Sequence, residues 1–216
     1  KYSINITGTG DIIRSNGSPT WSLYRLNVNG AGSAFVSSTG SQINIFNRLQ
    51  VVAGKTFDLR SATLISWDST IVNGTITDTE SGGLSQFVGF VRVNPGGLFT
   101  NTLTFITNFW INRGIINNGT TYLPHVILAG YPSEQTVLSG SRKIVIDNTR
   151  IDGEFFGSYN AVVTNNDSLE ITNSIVGDAD PGFTENLTNL GVLLYGGTTN
   201  FLVAASESVT LNANTT

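Results

Sequence analysis

Four stretches of the chain follow one nine-residue pattern: VVAGKTFDL from Val51 to Leu59, VNPGGLFTN from Val93 to Asn101, VTNNDSLEI from Val163 to Ile171, and VAASESVTL from Val203 to Leu211. Each has an apolar residue that ends a strand and a turn built on Gly, Pro, Asn or Ser. A new strand follows, apolar at the seventh and usually the ninth position. A turn that recurs with the same phase is one corner of a coil. The stretches start 42, 70 and 40 residues apart, close to two, three and two multiples of a single period of about 20–23 residues, as in a chain wound into a β-solenoid. Such a chain repeats its backbone to make a long surface, so its sequence speaks more of architecture than of chemistry.

The remainder fits this reading. Almost every window of eleven residues contains Gly, Pro or several β-branched residues, which oppose a helical apolar stripe. Apolar residues two apart recur instead, as at Tyr2, Ile4 and Ile6, at Leu26 and Val28, and at Ile43 and Ile45, and each run gives one face to a core and one to water. A second phrase appears as WINRGIINNG from Trp110, IVIDNTRIDG from Ile144 and LEITNSIVGD from Leu169. It places a polar bend between two apolar pairs, which turns a coil from one sheet to the next. Asparagine at such a bend can bond to the asparagine stacked above it. A β-sandwich or jelly roll is the alternative, although sandwiches do not repeat one corner at multiples of one length.

The segments YRLNVNGAGSAF, RLQVVAGKTFDL, FVRVNPGGLF, FWINRGIINNG and SLEITNSIVGD, spread from about residue 24 to 178, resemble the coils of pectin-lyase-like right-handed parallel β-helices. They are most similar to the surface-protein version found in secreted adhesins of the filamentous-haemagglutinin kind. The resemblance implies a single all-β solenoid domain over residues 1–216, not a reaction. The Asn-Thr-Asp, paired Asp, His-Gly and Arg-Ile-Lys motifs of the polygalacturonase-like hydrolases are absent from the sequence.

Only 12% of residues are charged, against about 25% in an ordinary soluble domain, and Ser, Thr, Asn and Gly fill the space. That surface suits secreted, cell-surface or virion proteins. No methionine occurs and the chain begins at Lys1, so the sequence reads as a processed or excised product. No apolar run is long enough to span a membrane. A net charge of -4, with eleven basic residues scattered along the chain, argues against nucleic acid as a partner.

Candidate chemistry is sparse. The one histidine, His125, lies in the apolar phrase YLPHVILAG and reads as structural. The carboxylate pairs Asp152 with Glu154, and Asp178 with Asp180, are each one residue apart. Such pairs share a strand face and could present oxygens to calcium or to a glycosidic bond. Both also sit in turn-rich phrases that favour Asp for local hydrogen bonding. Trp21 and Tyr24, or Phe155, Phe156 and Tyr159, would be stacking platforms for sugars if they point outward, and core residues if they do not. The threonine runs Thr75, Thr77, Thr79 and Thr100, Thr102, Thr104 resemble ice-binding ranks, but threonine simply favours exposed strand positions.

No catalytic, cofactor or metal residue is therefore assigned, and no cofactor is expected. The reading is a noncatalytic extracellular structural protein: a self-associating solenoid subunit of a surface fibre, appendage or virion spike with an adhesive role. Its terminal strands, residues 1–8 and 207–216, would serve subunit contacts with copies of itself. Phe57, Phe99, Leu169 and Val209 would stack in the core, with Gly54 and Gly96 at corners. The alternative is a β-helix that binds or cleaves carbohydrate, with surface glycans as partners.

Overall fold

The computed structural model describes residues 2–8, 10–13, 20–30, 33–36, 42–60, 63–79, 84–103, 109–128, 136–147, 150–151, 161–165, 168–172, 175–176, 185–189, 192–196, 199–201 and 208–210. Among these residues every paired strand is parallel to its neighbours, and none lies in a helix. The fold is a parallel β-helix. A 17-stranded sheet and a 9-stranded sheet run along it. The larger sheet consists of two ladders. The first contains Thr63–Ser66, Ser85–Phe87 and Phe109–Ile111, and the second contains Ser69–Val72, Phe90–Val93 and Gly114–Asn117. The smaller sheet is the third face, built from Thr56–Asp58, Thr75–Thr77, Leu98–Thr100 and their successors.

Coil length follows from register. Ile6, Val28, Val51, Val72, Val93 and Asn117 are successive partners on the second ladder, at separations of 21 to 24 residues. The coil widens beyond the expected period later, where Leu138 pairs with Asn165, 27 residues on. Inward residues of all three ladders form one continuous apolar core that includes Leu26, Leu49, Val72, Phe87, Phe99 and Ile144. Burial of each such side chain is worth about 1.5–3 kcal/mol.

Three of the four corner stretches occupy one corner, between the second ladder and the third face. Val51 and Val93 end their second-ladder strands, and Phe57, Ile76, Phe99, Thr121, Ile144 and Leu169 follow one another in register across the third face. Phe57, Phe99 and Leu169 are fully buried, as their position in the pattern implies. The fourth stretch is different. Ser208–Thr210 lies in the second ladder with Val209 opposite Leu187, and the third-face partner of Leu169 is Leu193. The stretch from Val203 therefore leads into the second ladder instead of out of it, and the side chain of Val209 lies outside the described residues. A similar correction applies to WINRGIINNG, which bends from the first ladder to the second. The phrases from Ile144 and Leu169 instead lead from the third face to the first ladder.

At the shared corner, Gly54 and Gly96 have φ of 73° and 84°. A side chain there is opposed by the backbone itself, at about 1–2 kcal/mol. Gly96→Ala is accordingly expected to lower unfolding free energy by about 1–2 kcal/mol, measured as a shift in denaturant midpoint. An unchanged midpoint would show that the corner relaxes to another conformation.

Asparagines stack where the corner turns: Asn94 Nδ2 donates to Asn73 Oδ1 at 2.7 Å. One coil further, the valine row is replaced by Asn117, which is fully buried. Its amide donates to the carbonyls of Arg142 and Lys143 at 3.0 and 2.9 Å, and its Oδ1 accepts from Thr121 Oγ1 at 3.0 Å. A polar group replaces an apolar one without loss because every bond is made.

Candidate functional site

The outer surface of the large sheet carries the most concentrated chemistry. Strands Thr20–Val28 and Gln42–Val51 each run through both ladders, and register slips between Leu23 and Arg25. Tyr24 faces the two residues Phe46 and Asn47, a bulge, and a bulge re-aims the side chains it carries. Phe46 follows the inward Ile43 and Ile45, so alternation places it on the outer face, where it is 51% exposed. Tyr2 stands one coil before Tyr24, whose amide donates to the Tyr2 carbonyl at 2.7 Å. Trp67 stands one coil after Phe46, where its amide donates to the Ile45 carbonyl at 2.9 Å.

Tyr2, Tyr24, Phe46 and Trp67 thus form an aromatic ladder on four successive coils. Tyr2 is 79% exposed, Trp67 36%, and Tyr24 half-buried. The rings of Phe46 and Trp67 are parallel to within 7° with centroids 6.4 Å apart. Parallel rings that overlap fully sit far closer, so these are offset and leave ring face uncovered. A groove of about 350 Å³ lies among Tyr2, Ser22, Tyr24 and Phe46, and Trp21, 38% exposed, is on the same strand as Tyr24.

A polar row runs beside the rings. Arg25 Nε donates to Asn47 Oδ1 at 2.8 Å, and Asn47 Nδ2 donates to Asp68 Oδ2 at 3.3 Å. The Arg25 guanidinium also lies 5.3 Å from the centre of the Tyr24 ring. Trp67 Nε1 donates to Asn44 Oδ1 at 3.4 Å, which fixes the indole. Apolar ring faces beside ordered donors and acceptors match a pyranose, which has C–H faces and a rim of hydroxyls.

The sequence singled out Trp21 and Tyr24 of this group and missed Tyr2, Phe46 and Trp67. The signal was present: Tyr2, Tyr24, Phe46 and Trp67 are 22, 22 and 21 residues apart, one coil each. Trp110, by contrast, is 4% exposed and packs with Ile127 and Leu84 in a small cluster of its own.

The other candidates divide. Asp152, Glu154, Phe155, Phe156, Tyr159, Asp178 and Asp180 lie outside the described residues. His125 is half-buried, has φ of 56°, and its Nδ1 is buried with no hydrogen-bond partner among the described residues. It is not on the aromatic ladder. Among the threonines, Thr75 and Thr77 alternate with buried Ile76 on the third face, but the partner of Thr75 on the next coil is Leu98 and that of Thr77 on the previous coil is Asp58. The rank is thus broken, and Thr104 lies outside the described residues. No group of three or more metal-ligating His, Cys, Asp or Glu occurs among the described residues. No family model, curated protein or solved structure matches the chain.

Proposed function

We propose that this chain is a noncatalytic, extracellular adhesive β-solenoid, a subunit of a surface fibre, appendage or virion spike, that holds carbohydrate on its outer aromatic ladder. The observation that carries this reading is the alignment of Tyr2, Tyr24, Phe46 and Trp67 on consecutive coils with a hydrogen-bonded polar row beside them. Buried aromatics are explained by the core, whereas a row of exposed ones on a rigid sheet is explained by a ligand. Among the described residues the ladder holds one carboxylate, Asp68, where glycosidic cleavage normally uses two. Holding is therefore the better fit than cutting.

Self-association is part of the same proposal, and Ser3–Ile6 and Ser208–Thr210 are the strands on which it is to be tested.

Phe46→Ala and Trp67→Ala are each expected to weaken binding to an immobilised glycan panel about tenfold, the equivalent of roughly 1.4 kcal/mol, with an unchanged circular dichroism spectrum. Wild-type protein that retains no glycan, or variants that bind as well as wild type, would sink the reading.

A further inference from the structure

Four asparagines of the chain stand directly before a glycine: Asn16, Asn29, Asn73 and Asn118. Glycine has no β-carbon to shield its backbone nitrogen, so that nitrogen can attack the carboxamide of the asparagine before it. In a folded chain the attack needs a glycine N–H that is not tied up in a hydrogen bond and a carboxamide that is free to turn towards it. Asn16 lies outside the described residues. The other three all follow second-ladder strands at the shared corner, and the fold treats them differently.

Asn73 and Asn118 are in tight corners, with two residues between Val72 and Thr75 and two between Asn117 and Thr120. The Gly74 N–H donates to the Val51 carbonyl at 3.1 Å, and Asn73 Oδ1 accepts from Asn94 Nδ2 at 2.7 Å. The Gly119 N–H donates to Asn117 Oδ1 at 3.3 Å, and Asn118 Oδ1 accepts from Ser141 Oγ at 2.9 Å. Both glycines are also wedged against two carbonyls. A β-carbon at Gly74 would stand 2.2 and 2.3 Å from the oxygens of Lys55 and Val52, and one at Gly119 would stand 2.4 and 2.6 Å from those of Asn94 and Gly97.

Asn29 is held by neither kind of hydrogen bond. Its corner has four residues between Val28 and Ser33, and it is exposed. Its backbone N–H donates to the Ile6 carbonyl at 2.9 Å, but among the described residues its carboxamide and the N–H of Gly30 have no hydrogen-bond partner. The three atoms nearest a β-carbon at Gly30 all belong to Thr7 and Gly8, which are themselves exposed, so this glycine leans on a single surface segment.

We infer that Asn29 is a site of spontaneous deamidation in the folded protein, and that the corner protects Asn73 and Asn118 from the same reaction. The Gly30 nitrogen gives its proton to water and bonds to Cγ of Asn29, the Cγ–Nδ2 bond breaks, and ammonia leaves. Water opens the resulting succinimide at either carbonyl, to aspartate or to isoaspartate. Nothing is oxidised or reduced, and water is the sole co-reactant. The product carries a new negative charge. Its isoaspartyl form also inserts a methylene into the main chain directly after the strand Thr20–Val28, which bears Trp21 and Tyr24. The reaction is independent of the glycan reading.

The test follows the folded protein, and the protein unfolded in denaturant, in the same mildly alkaline buffer. Peptide mapping by mass spectrometry reads the loss of each amide, and isoaspartyl methyltransferase labelling reads the product. In the folded protein Asn29 is expected to react about tenfold or more faster than Asn73 and Asn118, the equivalent of roughly 1.4 kcal/mol, because each of those must first release two hydrogen bonds. In denaturant the three should react at similar rates. Asn94→Ala, which removes the donor to Asn73 Oδ1, should speed the reaction at Asn73 and leave Asn29 as it was. An Asn29 that reacts no faster than the other two in the folded protein, or that leads by the same margin in denaturant, would overturn the inference. So would an unchanged rate at Asn73 in the Asn94→Ala variant, since the corner bonds would then not be the protection.

Discussion

Phe99→Ala is expected to destabilise the protein by about 3–5 kcal/mol, the usual effect of emptying a well-packed aromatic site. Phe99 is fully buried on the third face. Its ring meets Phe87 edge-on with centroids 5.1 Å apart and Phe109 at 5.5 Å, while Phe87 and Phe109 lie 5.4 Å from each other. These partners come from two successive coils of the first ladder, so the cavity would open between faces and between coils together. Chemical denaturation followed by far-ultraviolet circular dichroism would read the change. Phe99→Leu should recover a substantial part, because it returns most of the apolar volume. An alanine variant as stable as wild type would mean that the three rings are not the keystone of this segment.

The second large effect is expected at Gly89. A β-carbon there would stand 1.2 Å from the carbonyl oxygen of Asp68 and 2.1 Å from its carbon, contacts made by backbone that has no rotamer to change. Gly89→Ala must push two coils apart or break their pairing, at about 4 kcal/mol or more, in the range reserved for severe lesions. The comparison with Gly96→Ala isolates the cause. Gly96 has no atom within 4 Å of an added β-carbon and suffers only from its positive φ. Gly89→Ala should therefore be much the worse of the two in thermal and denaturant unfolding, and equal effects would show that steric contact between coils is not what selects glycine.

Much of the architecture was legible because corners are chemically demanding. The Val51 and Val93 stretches need an inward valine, a glycine with positive φ and an inward phenylalanine at fixed offsets, and few sequences meet all three. The stretch from Val203 matched on weaker grounds. Its Ser206–Glu207–Ser208 has no residue of special backbone demand, and every bend of a solenoid reads as apolar, polar, apolar. A pattern without the glycine marks a bend but does not say which one.

The site was less legible, since it exists only across coils. Tyr24 alone is an aromatic of undecided direction, because Leu23 and Leu26 on either side of it are both inward and break the alternation. Phe46 is placed outward by the inward Ile43 and Ile45, but only register sets it beside Tyr24 and Trp67. Gly89, packed against the Asp68 backbone of the coil before it, is likewise silent until the coils are stacked.

The pairing of each coil with only its two neighbours also decides how the molecule would yield to tension. Its interstrand hydrogen bonds lie along the long axis, so a pull on the two ends would load them one coil at a time, as a zip is opened. Each coil contributes about 4.8 Å to the folded length. Peeling one coil away would release 21 to 24 residues, about 70–80 Å of extended chain. A tethered rod of this kind would lengthen in steps under flow, each yielding at modest force, while the coils that remain stacked keep their outer surface in place.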